Sequence, residues 1–321
     1  MIKAFRYLGI GLGIIIVLAG LFAAFVAIRG IPKYKAEKIN LQVQATPARL
    51  QKGEKLATLL CASCHLDRNT GKFTGRKLEE ASAFGEIYSR NITNDKEHGI
   101  GNWTDGELAV LLRTGVKPDG TYLPPYMPKL IHFSDEDLAS VISFLRSGHA
   151  WVQGSTVAQP ASKPSFLPKF LTNIGAMKPF KFPKETIPEP DTTNAVAWGK
   201  YLALGQLECF SCHSRDFAKN DYLEPEKSAG FFGGGNELAL GDGKTIHSLN
   251  ITQDEESGIG KWMEETFVKA VKYGEVPNGG QRLRPPMQPY TLLTDGEVKA
   301  IYAYLKTIPK IKNKVDRNPE E

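Results

Sequence analysis

CASCH at residues 61–65 and CFSCH at residues 209–213 decide how this 321-residue chain folds. They hold all four of its cysteines, at positions 61, 64, 209 and 212. Two thiols three positions apart on a turn can form thioethers to the two vinyl groups of one porphyrin. The histidine that follows then lies under the iron, where imidazole is an ordinary axial donor. A zinc ribbon wants its two Cys-x-x-Cys pairs about 15–20 residues apart, whereas 144 residues separate Cys64 from Cys209. A thioredoxin-like pair needs a βαβ setting, which the pattern lacks, and structural disulfides leave both histidines unexplained. Each motif therefore reads as the attachment site of one haem c. Cys61 and Cys64 hold the first with His65 as proximal ligand, and Cys209 and Cys212 hold the second with His213.

Set one under the other, the flanks of the two motifs repeat. Gly-x-x-Leu-Ala precedes each, at 53–57 and 199–203. Asn-Ile-Thr follows each, at 91–93 and 250–252, and then come HGIGNW (98–103) and SGIGKW (257–262). A Pro-rich turn with methionine comes next, LPPYMP (123–128) and LRPPMQP (283–289). Each unit closes with a helix, Ser134 to Arg146 and Thr294 to Lys306. Ser134 with Asp137 and Thr294 with Glu297 stand as N-cap and N3 of capping boxes. Leu138, Val141, Ile142 and Leu145, like Val298, Ile301, Tyr302 and Leu305, keep the spacing of one buried helix face. The stretches before the motifs, about 47–60 and 192–208, also read as helices. With no sustained period-2 alternation, the expected fold class is all-α: two tandem units, 47–148 and 191–312.

A haem iron with one histidine has a sixth position to fill. Of five methionines, Met127 and Met287 share one place in the repeat, each seven residues before the Ser or Thr that caps the closing helix. A thioether on a proline-stiffened loop raises the reduction potential, so these two are expected as distal ligands. His98, His132, His149 and His247 do not repeat and read as surface or hydrogen-bonded residues. Asn91, Thr93 and Trp103, with Asn250, Thr252 and Trp262, have two readings of equal standing. They donate to haem propionates or wall the pocket, or they are turn residues and core aromatics. The second unit has 36 residues between His213 and Asn250 against 25 between His65 and Asn91. The surplus includes GFFGGGNE (230–237), expected as a surface loop near the second site; without Gly-Lys-Ser/Thr it is no phosphate loop.

Leu8 to Ile28 are 21 uncharged residues, enough to cross a bilayer core at about 1.5 Å per residue. The stretch exceeds the 7–15 residues usual in a cleaved signal and lacks a good small-x-small site. Residues 1–30 are expected as an uncleaved single-pass anchor. Lys3 and Arg6 are outnumbered by Arg29, Lys33, Lys35 and Lys38, so charge counting alone does not favour a cytoplasmic N-terminus. Haem c is attached outside the bacterial cytoplasmic membrane, which puts the haem units on the periplasmic or outer face. Residues 149–190 hold seven of the twenty prolines and are expected as a linker that straps over both units. Phe166, Leu167, Phe170, Leu171, Phe180 and Phe182 among five lysines give it a second reading, contact with membrane lipid or a partner.

Composition is ordinary, 41% hydrophobic and 23% charged. The net charge of +5 is scattered, which excludes a nucleic-acid footprint. With CASCH…NITNDKEHGIGNW…PDGTYLPPYMP and CFSCH…NITQDEESGIGKW…RPPMQPY in view, the chain resembles the bacterial di- and tri-haem cytochrome c family. It is most similar there to the cytochrome subunits of membrane-bound alcohol and gluconate dehydrogenases, over about 47–148 and 192–310. The resemblance implies a cytochrome c fold in each unit, two covalent haems c, His65 and His213 as proximal ligands, Met127 and Met287 as distal ligands, and electron transfer as the activity.

The chain is thus expected to be a carrier and not an enzyme. Its partners would be redox proteins: a dehydrogenase, a cytochrome or a terminal oxidase. The rival reading, a di-haem peroxidase, needs an iron with an exchangeable sixth position, which two methionine ligands would deny. Thiosulfate oxidation would favour a cysteine ligand, and all four cysteines are already used. A haem sensor would carry a signalling domain, and none is visible.

Overall fold

The computed structural model describes residues 2–240, 244–277, 282–283 and 285–316; Arg284 of the second Pro-rich turn lies outside them. Helix α1 (Ile2–Arg29) is long and apolar enough to cross a membrane and is almost entirely exposed, with Val26 buried near its end. The chain then runs along the first unit without regular structure. Tyr34 N donates to Gly120 O at 2.8 Å, Val43 N to Asp105 Oδ2 at 2.9 Å, and Gly106 leaves no space for a Cβ against Ile39 O.

Helix α2 (Pro47–Leu60) starts where sequence chemistry puts it: Thr46 Oγ1 accepts from Arg49 N, and proline stands at the first helical position. The first Cys-x-x-Cys-His forms the short α3 (Ala62–His65). Helices α4 (Asp105–Thr114) and α5 (Asp135–Leu145) complete the first unit. Thr104 and Glu107 cap α4 reciprocally. Ser134 caps α5, but Asp137 does not return the bond; its side chain turns to Tyr201 and Gln206. The segment 149–190 contributes α6 (Phe166–Asn173). It touches both units, with Phe182 packed against the first core and Phe180 edge-on to Tyr222.

The second unit repeats the plan with α7 (Ala195–Lys200), α8 (Cys209–His213), α9 (Glu264–Tyr273) and α10 (Asp295–Leu305). Thr294 and Glu297 form the full reciprocal cap of α10. Gly53 and Gly199 explain the repeated Gly-x-x-Leu-Ala. A Cβ on Gly53 would lie 2.0 Å from Ser140 O in α5, and one on Gly199 would lie 1.8 Å from Ala300 O in α10. Helices α2 and α7 thus cross their closing helices with backbone on backbone. Nine residues separate Gly199 from Cys209 against seven between Gly53 and Cys61. The surplus is taken up by a π-helical stretch, Tyr201–Gln206, and by Glu208 in the left-handed region at φ 47°.

Two expectations are corrected. The described residues are helix-rich but not all-α: they include two short antiparallel ribbons. One pairs β1 (Gly85–Glu86) with β2 (Lys163–Pro164), the other β3 (Glu237–Ala239) with β4 (Thr245–His247). Strands of two or three residues are too short to show a period. Nor is GFFGGGNE a surface loop. Phe231 and Phe232 join the second core, Asn236 is buried, and Asn313 Nδ2 donates to Gly233 O at 2.9 Å. The cores themselves touch, since Leu59 of α2 belongs to the cluster of the second unit.

Gly53→Ala and Gly199→Ala should each lower the unfolding free energy by about 1–3 kcal/mol, the usual cost of overpacking a core. Guanidinium titration checks this. Unchanged stability would mean that the helix pairs can part without loss.

Candidate functional site

The two motif histidines are held alike, but Cys61 follows α2 directly whereas Cys209 follows the π-helical stretch and Glu208. The Cys61 N–H closes α2 on Ala57 O at 2.8 Å, and one turn later His65 N donates to Cys61 O at 2.8 Å. Cys61 and Cys64, three apart on this turn, share a face. His65 Nδ1 lies 2.8 Å from Arg90 O, and His213 Nδ1 lies 2.8 Å from Leu249 O. A carbonyl only accepts, so Nδ1 carries the proton in both rings and Nε2 keeps its lone pair. Desolvation pushes both imidazole pKa values down, which favours the neutral, metal-donating form. Burial raises the Cys61 and Cys209 thiols to about 12, so neither resembles a reactive low-pKa redox cysteine.

Two glycines brace these histidines. Gly75 N donates to His65 O at 2.9 Å and Gly234 N to His213 O at 2.7 Å. Both have positive φ, 85° and 69°, and both press on backbone: a Cβ would come within 2.2 Å of Ser89 O and 2.5 Å of Asn250 N respectively. Gly75 is hidden from the repeat, because it follows His65 by 10 residues while Gly234 follows His213 by 21. The 11-residue difference equals the whole length surplus before Asn250, so the insertion lies between the histidine and its bracing glycine.

The methionine loops hang from the ends of α4 and α9. Leu123 N donates to Gly115 O and Leu130 N to Leu112 O; in the second unit Leu283 N donates to Gly274 O and Tyr290 N to Val271 O. Met127 is half-buried against the same cluster as Cys61, Ala62 and Trp103. Met287 is also half-buried. One brace is not repeated. Lys129 is 5% exposed and its Nζ donates to Pro124 O at 2.9 Å and to Met127 O, holding the first loop from beneath. Pro289 stands at the corresponding place. Burial pushes the Lys129 ammonium pKa down.

In both Asn-Ile-Thr segments the asparagine amide is spent on backbone. Asn91 Nδ2 donates to Ser155 O and Val157 O at 2.7 and 2.8 Å, and its Oδ1 accepts from Thr93 N and Oγ1. Asn250 Nδ2 donates to Ile311 O at 2.7 Å, and its Oδ1 accepts from Thr252 N and Oγ1. These residues pin the chain that leaves each unit. Trp103 and Trp262 differ: both are half-buried, and neither indole N–H has a protein acceptor among the described residues. The four remaining histidines are engaged elsewhere. His98 meets Asp95, His132 meets Tyr222 O, His149 accepts from Trp151 N and His247 meets Asp316 O. Among the described residues no three His, Cys, Asp or Glu side chains gather to hold a bare metal ion. A single imidazole beside two unionised thiols suits a porphyrin-borne iron better than zinc.

Residues 50–149 match the cytochrome c family. The chain is 29% identical over 266 residues to the fructose dehydrogenase cytochrome subunit of Gluconobacter japonicus, covering 78% of this chain and 50% of that protein. It is 30% identical over 282 residues to the alcohol dehydrogenase (quinone) cytochrome c subunit of Gluconacetobacter polyoxogenes, covering 83% and 57%. A protein named as a diheme cytochrome c-type, from Cereibacter sphaeroides, is 26% identical over 260 residues, covering 78% and 82%. The chain spans about half the length of the dehydrogenase subunits it matches. It carries a cytochrome c domain, which implies covalently bound haem c, and its relatives include cytochrome c subunits of dehydrogenases.

Asn91→Ala and Asn250→Ala should each destabilise the protein by about 1–3 kcal/mol, because buried carbonyls and a threonine lose their partner. The reduction potentials should stay in place. Redox titration beside thermal unfolding checks this; a shifted potential at unchanged stability would give the asparagines a role at the cofactor instead.

Proposed function

We propose that this chain is a membrane-anchored di-haem cytochrome c that passes electrons from a dehydrogenase partner towards a cytochrome or terminal oxidase. In this reading residues 1–30 are a single-pass anchor, 47–148 and 191–312 are cytochrome c domains on the periplasmic or outer face, and 149–190 joins them. The observation that carries it is the pair of histidines, His65 and His213. Each directly follows a Cys-x-x-Cys, and each spends Nδ1 on a backbone carbonyl at 2.8 Å so that Nε2 is free to bind iron.

Cys61 and Cys64 would hold the first haem and Cys209 and Cys212 the second, with His65, Met127, His213 and Met287 as the side chains that would ligate iron. When bound, haem iron supplies one-electron exchange between two oxidation states. The residues of the chain do the rest. The histidines and bracing glycines fix the proximal side, the Pro-rich loops present the thioethers, and the unbonded indoles of Trp103 and Trp262 suit propionate carboxylates. Asn91, Thr93, Asn250 and Thr252 serve the turns. The named relatives support the dehydrogenase partner, and the repeat together with the diheme relative supports two haems. No side chain is asked to transform a substrate, so the chain acts as a carrier and not as an enzyme.

Pyridine haemochrome assay with intact-mass measurement should find two haems per chain, and one after Cys209→Ser with Cys212→Ser. Met127→Ala and Met287→Ala should each lower the potential of one haem and open that iron to carbon monoxide, while the unaltered reduced protein stays closed to it. Rapid stoichiometric carbon monoxide binding to the unaltered protein would defeat the carrier reading and favour a peroxidase.

A further inference from the structure

Helix α6 faces the wrong way for a water-exposed helix. At about 100° per residue, Phe166, Leu167, Phe170, Leu171 and Ile174 fall on one side and Pro168 and Thr172 on the other. Pro168 and Thr172 are the buried residues. Phe166, Leu167 and Ile174 are 46%, 45% and 49% exposed. A helix that rests on a protein and faces water turns its apolar stripe inward. Left in water, this face forgoes the free energy its burial would release.

Its neighbour says what covers it. Helix α6 packs against the end of α1: Phe170 lies edge-on to Phe22 at 6.2 Å, Arg29 Nη1 donates to Asn173 Oδ1 at 3.0 Å, and Asn173 Nδ2 donates to Gly30 O at 2.8 Å. Phe22 precedes Arg29 by seven residues, or about 10 Å along the axis. That is about the depth to which an interfacial helix sinks its apolar face. Lys178, Lys181 and Lys184 follow α6 and are exposed, as a segment facing lipid phosphates requires. On its other side β2 (Lys163–Pro164), just before α6, pairs with β1 of the first unit.

We propose that α6 lies in the bilayer surface where α1 emerges, as a second membrane contact that sets the tilt of the first unit against the lipid. The occupant of its apolar face is phospholipid. The inference rests on α1 being a membrane span, and the test separates the two. The haem-loaded full chain is placed in nanodiscs of phosphatidylcholine and phosphatidylglycerol that carry a diazirine in the acyl chain, then irradiated, and lipid adducts are mapped by peptide mass spectrometry.

Adducts are expected on α1 and on residues 166–174. Leu167→Glu with Ile174→Glu should reduce the α6 adducts several-fold while leaving those on α1 and the haem spectrum unchanged. Adducts on α1 with none on α6 would overturn the inference and leave the anchor standing, meaning that solvent or a protein partner meets this face. No adducts on either helix would remove the anchor reading and the inference with it. Undiminished α6 adducts in the double variant would mean that labelling reports only proximity to α1, and would also overturn the proposal.

Discussion

Two helix crossings with no room for a side chain govern this structure. Where Gly53 meets Ser140 O and Gly199 meets Ala300 O, the distance between axes is set by backbone alone. The cysteine motif leaves the C-terminal end of one crossing helix, so its position follows from the crossing. Ser134 and Thr294 start the other helices, and the methionine loops end just before those caps. A wider crossing would move the cysteine motif and the methionine loop of the same unit apart. The repeated glycines are therefore part of the site, although they touch no reacting atom.

This explains what was legible from residues alone. The closing helices were placed to within a residue, because an N-cap, a 3.6-residue apolar period and a hydrophobic interior all point to the same boundaries. The motif cysteines, histidines and loop methionines stood out because they recur. What recurs at variable spacing did not: Gly75 and Gly234 do the same work, but an 11-residue difference hides it. Lys129 could not be found by repetition, since the second unit has Pro289 there. The short ribbons escaped because two or three paired residues carry no period. GFFGGGNE read as a loop by composition, while tertiary packing draws its two phenylalanines inward.

The departures of the second unit from the first share one logic. Two residues added before Cys209 are absorbed by a π-helical stretch and a left-handed Glu208. Eleven residues added between His213 and Gly234 form a loop with two short 3-10 turns, Phe217–Lys219 and Pro225–Lys227. Each insertion is taken up beside the site, and the 2.8 Å bonds of the two histidines come out alike.

The joint between the units is built differently from their cores. Asp137 is 1% exposed and accepts from Tyr201 OH at 2.5 Å and Gln206 Nε2 at 2.8 Å, with Lys52 paired to it; Lys55 meets Glu297 at 2.6 Å. A buried carboxylate adds little net stability, since desolvation offsets most of the attraction, but its hydrogen bonds tolerate few arrangements. Leu59, packed into the core of the other unit, supplies the apolar part of the same joint. Apolar contact alone would allow the units to slide, whereas Tyr201 and Gln206 converging on one oxygen would not. For a chain whose proposed task is to hand an electron between two fixed centres, a joint that sacrifices stability for a single relative position is the one to expect.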